Sequence, residues 1–138
     1  MADSNIDITV IIPFLNEQDN INELVSSLNR FYEKSSLTYE IIFVNDGSED
    51  DSLKLLCSNK NQLAFRCNVV NLSKTYGSHA ALRAGILHAS GKYIVFLYAD
   101  LQDPIELIDK MYSKIISGNK NMIWATRKVA NNSVFETF

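Results

Sequence analysis

Short apolar runs alternate along this chain with segments whose apolar residues recur at helical spacing. That alternation constrains the fold more than any other feature. Ile8–Phe14, Tyr39–Val44, Phe65–Leu72, Tyr93–Leu97 and Met122–Ala125 are each largely apolar. Runs of this length read as strands buried on both faces. Between the first two, Asp19–Lys34 carries Ile21, Leu24, Val25, Leu28, Phe31 and Tyr32 on one stripe, which predicts a helix. Ser48 is expected to open a second helix, with Glu49, Asp50 and Asp51 in its first turn and Leu53, Leu56 and Cys57 packing inward. Ser78–Ala89 predicts a helix of small residues that stops near Ser90-Gly91. Asp103-Pro104-Ile105-Glu106 has the composition of a helix start, with Asp103 as N-cap and Glu106 as capping-box partner. Its stripe is Ile105, Ile108, Met111, Tyr112 and Ile115, and Gly118 closes it. Buried strands separated by helices predict an α/β fold, a mostly parallel sheet with helices on both faces in three layers.

Length and composition fit one domain. The chain has 138 residues, 46% of them hydrophobic, enough for a core, and 21% charged. A net charge of −3 gives no electrostatic case for nucleic acid or an anionic membrane as partner. Cys57 and Cys67 lack metal-ligand spacing and read as buried reduced thiols of a cytoplasmic protein. The polar start Met-Ala-Asp-Ser-Asn is no signal peptide, and no apolar run reaches the length of a membrane span, so this stretch alone reads as soluble.

The chemistry gathers where the strands end. Pro13-Phe14-Leu15-Asn16-Glu17, Asn45-Asp46-Gly47-Ser48, Ser73-Lys74-Thr75-Tyr76-Gly77-Ser78, Tyr98-Ala99-Asp100-Leu101-Gln102-Asp103 and Thr126-Arg127-Lys128 follow the strands in order. Parallel strands share a carboxyl edge, so these motifs meet on one rim, where open α/β sheets bind ligands. Oxygen ligands in the fourth motif suit a hard divalent cation. Tyr98 stands where a second carboxylate would complete a D-x-D pair. His79 and His88 have no ligand spacing and read as surface or packing residues, and Arg83, inside a helix, reads equally as a structural ion-pair partner.

Taken together, Val10-Ile11-Ile12-Pro13-Phe14-Leu15-Asn16-Glu17, Ile41 to Asp50, Asn71-Leu72-Ser73-Lys74-Thr75-Tyr76-Gly77, Ala81-Leu82-Arg83-Ala84-Gly85 and Ala99 to Pro104 resemble the family-2 glycosyltransferases of the GT-A, Rossmann-like fold. The nearest subgroup is the polyprenyl-phosphate sugar transferases, such as dolichol-phosphate mannose synthases. The resemblance covers roughly Thr9 to Lys128.

The resemblance implies transfer of a sugar from a UDP- or GDP-sugar to a lipid-phosphate or glycan acceptor, most plausibly a polyprenyl phosphate, with Mg2+ or Mn2+ on the diphosphate. It implies inversion at the anomeric carbon by direct attack of an acceptor oxygen. Pro13, Asn16, Glu17, Asp46, Lys74 and Gly77 match nucleotide-binding positions, with Glu17 and Asp46 on the base and ribose. Gly77 would serve a close backbone approach. Asn45 replaces an acid more usual in the family, which would alter ribose contacts. Asp100 matches the catalytic, metal-binding acid, and Gln102 a position able to add an amide oxygen. Asp103 is explained as an N-cap and could serve both jobs. Arg127 matches an arginine that faces phosphate through its bidentate fork.

The chain is then expected to be the nucleotide-sugar-binding part, residues 1–138, of a domain truncated at its C-terminus. Such a part binds nucleotide weakly, transfers no sugar alone, and can self-associate, as a homodimer, through an exposed edge. The whole protein would work at the cytoplasmic face of a membrane, reached only through segments absent from this chain. An alternative is a nucleotide-binding or regulatory module without catalysis, favoured by Tyr98. A nicotinamide-dependent oxidoreductase is excluded, because no G-x-G-x-x-G follows the first strand.

Overall fold

The structure is a computed structural model that describes residues 5–126. Its central feature is a four-stranded parallel sheet in the order β3-β2-β1-β4. The strands are β1 (Ile8–Phe14), β2 (Tyr39–Asn45), β3 (Arg66–Asn71) and β4 (Tyr93–Phe96). Burial explains the composition of each. Every residue of β1 and β2 is buried, as central strands covered on both faces require. β3 and β4 flank them and are only partly buried, and Ile94 and Phe96 of β4 remain exposed.

The helices are α1 (Gln18–Lys34), α2 (Ser52–Asn59), α3 (Ser78–Leu87) and α4 (Leu107–Gly118), with a short 3-10 turn at Lys60–Gln62. Register assigns the faces. Ile11 pairs with Ile42 and Pro13 with Val44, so these side chains share one face of the sheet. Ile11, Ile42 and Val44 form a buried cluster with Ala81 of α3. Gly85 lets α3 lie close, since a β-carbon there would collide with Ile11. Tyr39 points to the opposite face, where its ring meets Phe31 of α1 edge-on at 5.3 Å between centroids. Helices therefore cover both faces. α4 belongs to a separate unit that begins at Glu106. Its apolar residues Ile108, Met111, Tyr112 and Ile115 are buried or half-buried.

Several expectations need correction. Met122–Ala125 is not a strand: it pairs with none among the described residues, and Met122 and Trp124 are exposed. Apolar composition makes a strand only where a ladder partner exists. α2 starts at Ser52 rather than Ser48, so no acid lies in its first turn. The intervening amides are bound by side chains of another loop, described below. α4 starts at Leu107, so the N-cap position falls on Glu106 rather than on Asp103, and the Glu106 side chain makes no cap bond. Cys57 is exposed and Cys67 half-buried, so the pair are not two core thiols. Burial pushes the Cys67 thiol up to about 11, which keeps it protonated near neutrality.

Candidate functional site

The strand order creates the site. From β1 the chain winds outward through β2 to β3, then returns across the sheet to place β4 on the other side of β1. The loops leaving β1 and β4 therefore diverge, and a crevice opens at their carboxyl ends. A cleft of about 240 Å³ lies there, with walls that include Pro13, Glu17, Asp46, Gly77, Tyr98 and Asp100. That is slightly below the roughly 300–1,000 Å³ of pockets for drug-sized ligands, so it accommodates part of such a molecule.

Three carboxylates reach this cleft by different means. Glu17 ends the loop after β1, and its Oε2 accepts a hydrogen bond from the Asn20 side chain at 2.7 Å. Asp46 is 4% exposed. Its Oδ1 accepts from the Tyr76 amide at 2.8 Å and its Oδ2 from the Gly77 amide at 2.9 Å. The Thr75 hydroxyl donates to the Asp46 carbonyl at 2.9 Å. Asp46 thereby ties the loop after β3 to the end of β2. Asp100 follows β4, and its Oδ1 accepts from the Gln102 amide at 3.1 Å. The turn between them holds Leu101 at φ 59°, a left-handed conformation that leucine rarely adopts.

Two glycines have distinct reasons. Gly77 sits at φ 96° with nothing near where its β-carbon would be, so conformation and not crowding requires it there. Gly47 is required by crowding as well, since a β-carbon there would lie 2.5 Å from the Thr75 nitrogen.

The remaining candidates fall elsewhere. Asn16, Lys74 and Gln102 do not line the cleft. The Asn16 side chain accepts from the Glu49 and Asp50 amides at 2.9 and 3.4 Å. The Lys74 ammonium lies 5.2 Å from the centre of the Tyr76 ring, a cation–π contact. Gln102 is exposed. Asn45 is 2% exposed, donates to the Asn71 side chain at 2.7 Å and accepts from the Ser48 amide at 3.0 Å, so it braces the loop from below. Arg83 is exposed and makes no ion pair among the described residues. Arg127 lies outside the described residues.

Sequence reasoning read Ser48 and Asp50 as parts of a helix start and passed over Ser52; the structure uses all three to hold the loop after β1. The Ser48 hydroxyl accepts from the Asn16 amide at 3.0 Å, Ser52 from the Glu17 amide at 2.7 Å, and Asp50 Oδ2 from the Gln18 amide at 3.1 Å. The Asp-x-Ser spacing of Asp50 and Ser52, a local turn signature, was the available signal. Burial pushes the Asp50 carboxyl up, but bonds from the Ser52 hydroxyl and amide and from the Gln18 amide outweigh it and hold it below the usual range.

An α/β crevice walled by carboxylates at a topological switch point defines a class of ligand-binding domain, and comparison gives the family. The sequence model of glycosyl transferase family 2 matches residues 9–138. The chain belongs to that family. It is 34% identical over 128 residues to the undecaprenyl-phosphate 4-deoxy-4-formamido-L-arabinose transferase of Salmonella choleraesuis, covering 93% of this chain and 39% of that protein. The chain thus spans about two fifths of the length of the curated relatives it matches. Among solved structures, Staphylococcus aureus TarS 1–349 in complex with UDP-GlcNAc superposes with a TM-score of 0.72 at 21% identity, over 95% of this chain and 37% of that one. A mannosyltransferase from Pyrobaculum calidifontis, in complex with GDP-Man and Mn2+, gives a TM-score of 0.61 at 24% identity, over 71% of this chain and 30% of that one. These likenesses establish the GT-A fold. Among the described residues no helix is long and apolar enough to cross a membrane.

Proposed function

We propose that residues 1–138 are the nucleotide-sugar-binding part of a glycosyltransferase that takes a UDP- or GDP-sugar. The whole protein passes the sugar to a polyprenyl phosphate. The observation that carries this reading is the cleft between the ends of β1 and β4, where Glu17, Asp46 and Asp100 line one wall system. Carboxylates there accept from ribose hydroxyls and from a base N–H. The family relative that acts on undecaprenyl phosphate supports the acceptor.

The donor set fits a divalent cation shared with the ligand. Among the described residues no cluster of acids, histidines or cysteines could hold a metal alone. Asp100 would supply one carboxylate to such a cation, the remaining oxygens being left to the ligand. When bound, Mg2+ or Mn2+ neutralises charge on the departing nucleoside diphosphate. The protein's own work is to hold the nucleoside on Glu17 and Asp46, orient the diphosphate toward Asp100 and leave the anomeric carbon open. A phosphate acceptor is already ionised, so attack needs no strong general base.

Calorimetric titration with UDP and GDP, each with and without manganese, tests the reading. Binding of one nucleotide that tightens with manganese is the expected result. Absence of binding to both under all conditions sinks it. Transfer is assayed on the whole protein with a polyprenyl phosphate acceptor; nucleotide binding without any transfer there would favour a regulatory module, to which Tyr98 in the D-x-D position lends itself.

A further inference from the structure

The cleft wall that carries Glu17 lies beyond the end of the strand ladder, where two loops meet. The last rung is the Asp46 amide donating to the Phe14 carbonyl at 2.9 Å. Beyond it the loops hold each other. Side chains after β2 take the amides that lead into α1: Ser48 takes Asn16, Ser52 takes Glu17, and Asp50 takes Gln18. In return, Asn16 Oδ1 takes the amides of Glu49 and Asp50, and Gln18 Oε1 takes that of Asp51 at 3.1 Å. The N-cap residues of α1 and α2 make no side-chain cap bond; the first amide of α1, that of Gln18, goes to Asp50 of the other loop, and the amides leading up to α2 go to Asn16 and Gln18. Asn16 adopts φ 53° within this arrangement, a conformation asparagine tolerates better than most residues.

We propose that Asp50 and Asn16 are positioning residues of the nucleotide site: their reciprocal clasp fixes Glu17 in the cleft wall. This rests on the reading of the cleft as a nucleotide site. Neither Asp50 nor Asn16 lines the cleft, so each acts on a ligand only through residues that do. Glu17 is the direct link, because its own amide is clasped by Ser52, and Ser52 is in turn held by Asp50 through its amide at 2.9 Å and its hydroxyl.

The test compares Asp50→Ala, Asn16→Ala, the double variant and Asn16→Asp, which keeps the accepting oxygen. UDP and GDP affinities are titrated with manganese well below the melting temperature of each variant, and melting is followed in parallel. Each alanine variant should weaken the nucleotide by roughly fivefold to tenfold, the scale of a lost hydrogen bond. The double variant should lose little more than the worse single one, because both break one clasp. Asn16→Asp should stay within about twofold of the unaltered chain. Variants that melt lower but bind normally overturn the inference, as do single losses that add fully in the double variant. If Asp50→Ala does not fold, Ser48→Ala, which removes only the acceptor for the Asn16 amide, carries the same comparison. An unaltered chain that binds neither nucleotide overturns the nucleotide reading itself and this inference with it. Normal binding that no variant disturbs overturns the inference alone.

Discussion

At the scale of single residues, the fourth rim motif is the most instructive. Tyr98 and Asp100 both line the cleft, and Tyr98 is 45% exposed. A neutral phenol is a poor ligand for magnesium or manganese. If Tyr98 stands beside the metal, Tyr98→Asp adds a hard oxygen and should raise manganese affinity in the presence of UDP or GDP by roughly tenfold. Water-proton relaxation measures this directly. No gain from Tyr98→Asp, with loss of binding in Asp100→Ala, would put Tyr98 outside the metal's surroundings. The same scale shows what sequence could convey. Adjacency to a strand end identified Glu17, Asp46 and Asp100 as rim residues, and all three face the cleft. Adjacency does not say which way a side chain turns. Asn16 follows the same strand as Glu17 yet turns to the neighbouring loop's amides, because its φ of 53° redirects it.

At the scale of elements, four of the five expected strands and the starts of α1 and α3 were legible, and the starts of α2 and α4 were not. β1 begins and ends where its apolar run does, because a strand buried on both faces must be apolar throughout. α2 begins four residues late, at Ser52 instead of Ser48, because the amides of Glu49 to Asp51 are taken by Asn16 and Gln18, residues no local window includes. The packing of α3 shows a requirement that composition only hinted at. A methyl group at Gly85 would strike Ile11, with Val44 only 3.3 Å away. Gly85→Ala should therefore destabilise the protein by about 1–3 kcal/mol despite its better helix propensity. Thermal melting checks this; a variant as stable as the original would mean that α3 shifts freely over the sheet.

At the scale of the whole sheet, the edge opposite the cleft carries its own polar centre. Glu40, 1% exposed, accepts from the Thr9 hydroxyl at 2.6 Å and from the Ser90 amide and hydroxyl at 2.6 and 2.8 Å. It pins the connection between α3 and β4 to the amino ends of β1 and β2. Burial pushes its carboxyl up, but the bonds from Thr9 and Ser90, with Arg66 4.0 Å away, bring it below the ordinary value. A carboxyl lower in the folded than in the unfolded chain gives stability that is complete above its unfolded pKa and is lost as pH falls through the folded one. Melting temperature should thus drop on acidification below about pH 4.5. Glu40→Gln should melt lower at neutral pH and lose less on acidification, with Asp7 and Asp50, also held low, accounting for what remains. An unchanged acid limb in Glu40→Gln would show that the charge of Glu40 contributes nothing.

The clasp between the first two loops has a consequence for how such a chain can change. The hydrogen bonds that join Asn16, Glu17 and Gln18 to the stretch from Ser48 to Ser52 span 32 to 35 positions, and neither stretch makes them without the other. The two stretches are one specification written in two places. A loop transplanted from a relative with a different partner would arrive without the groups that complete it, and only exchange of both together preserves the fit. A change in the shape of this cleft wall is therefore reached by paired substitutions across the two loops, with single changes in either passing through a loosened intermediate.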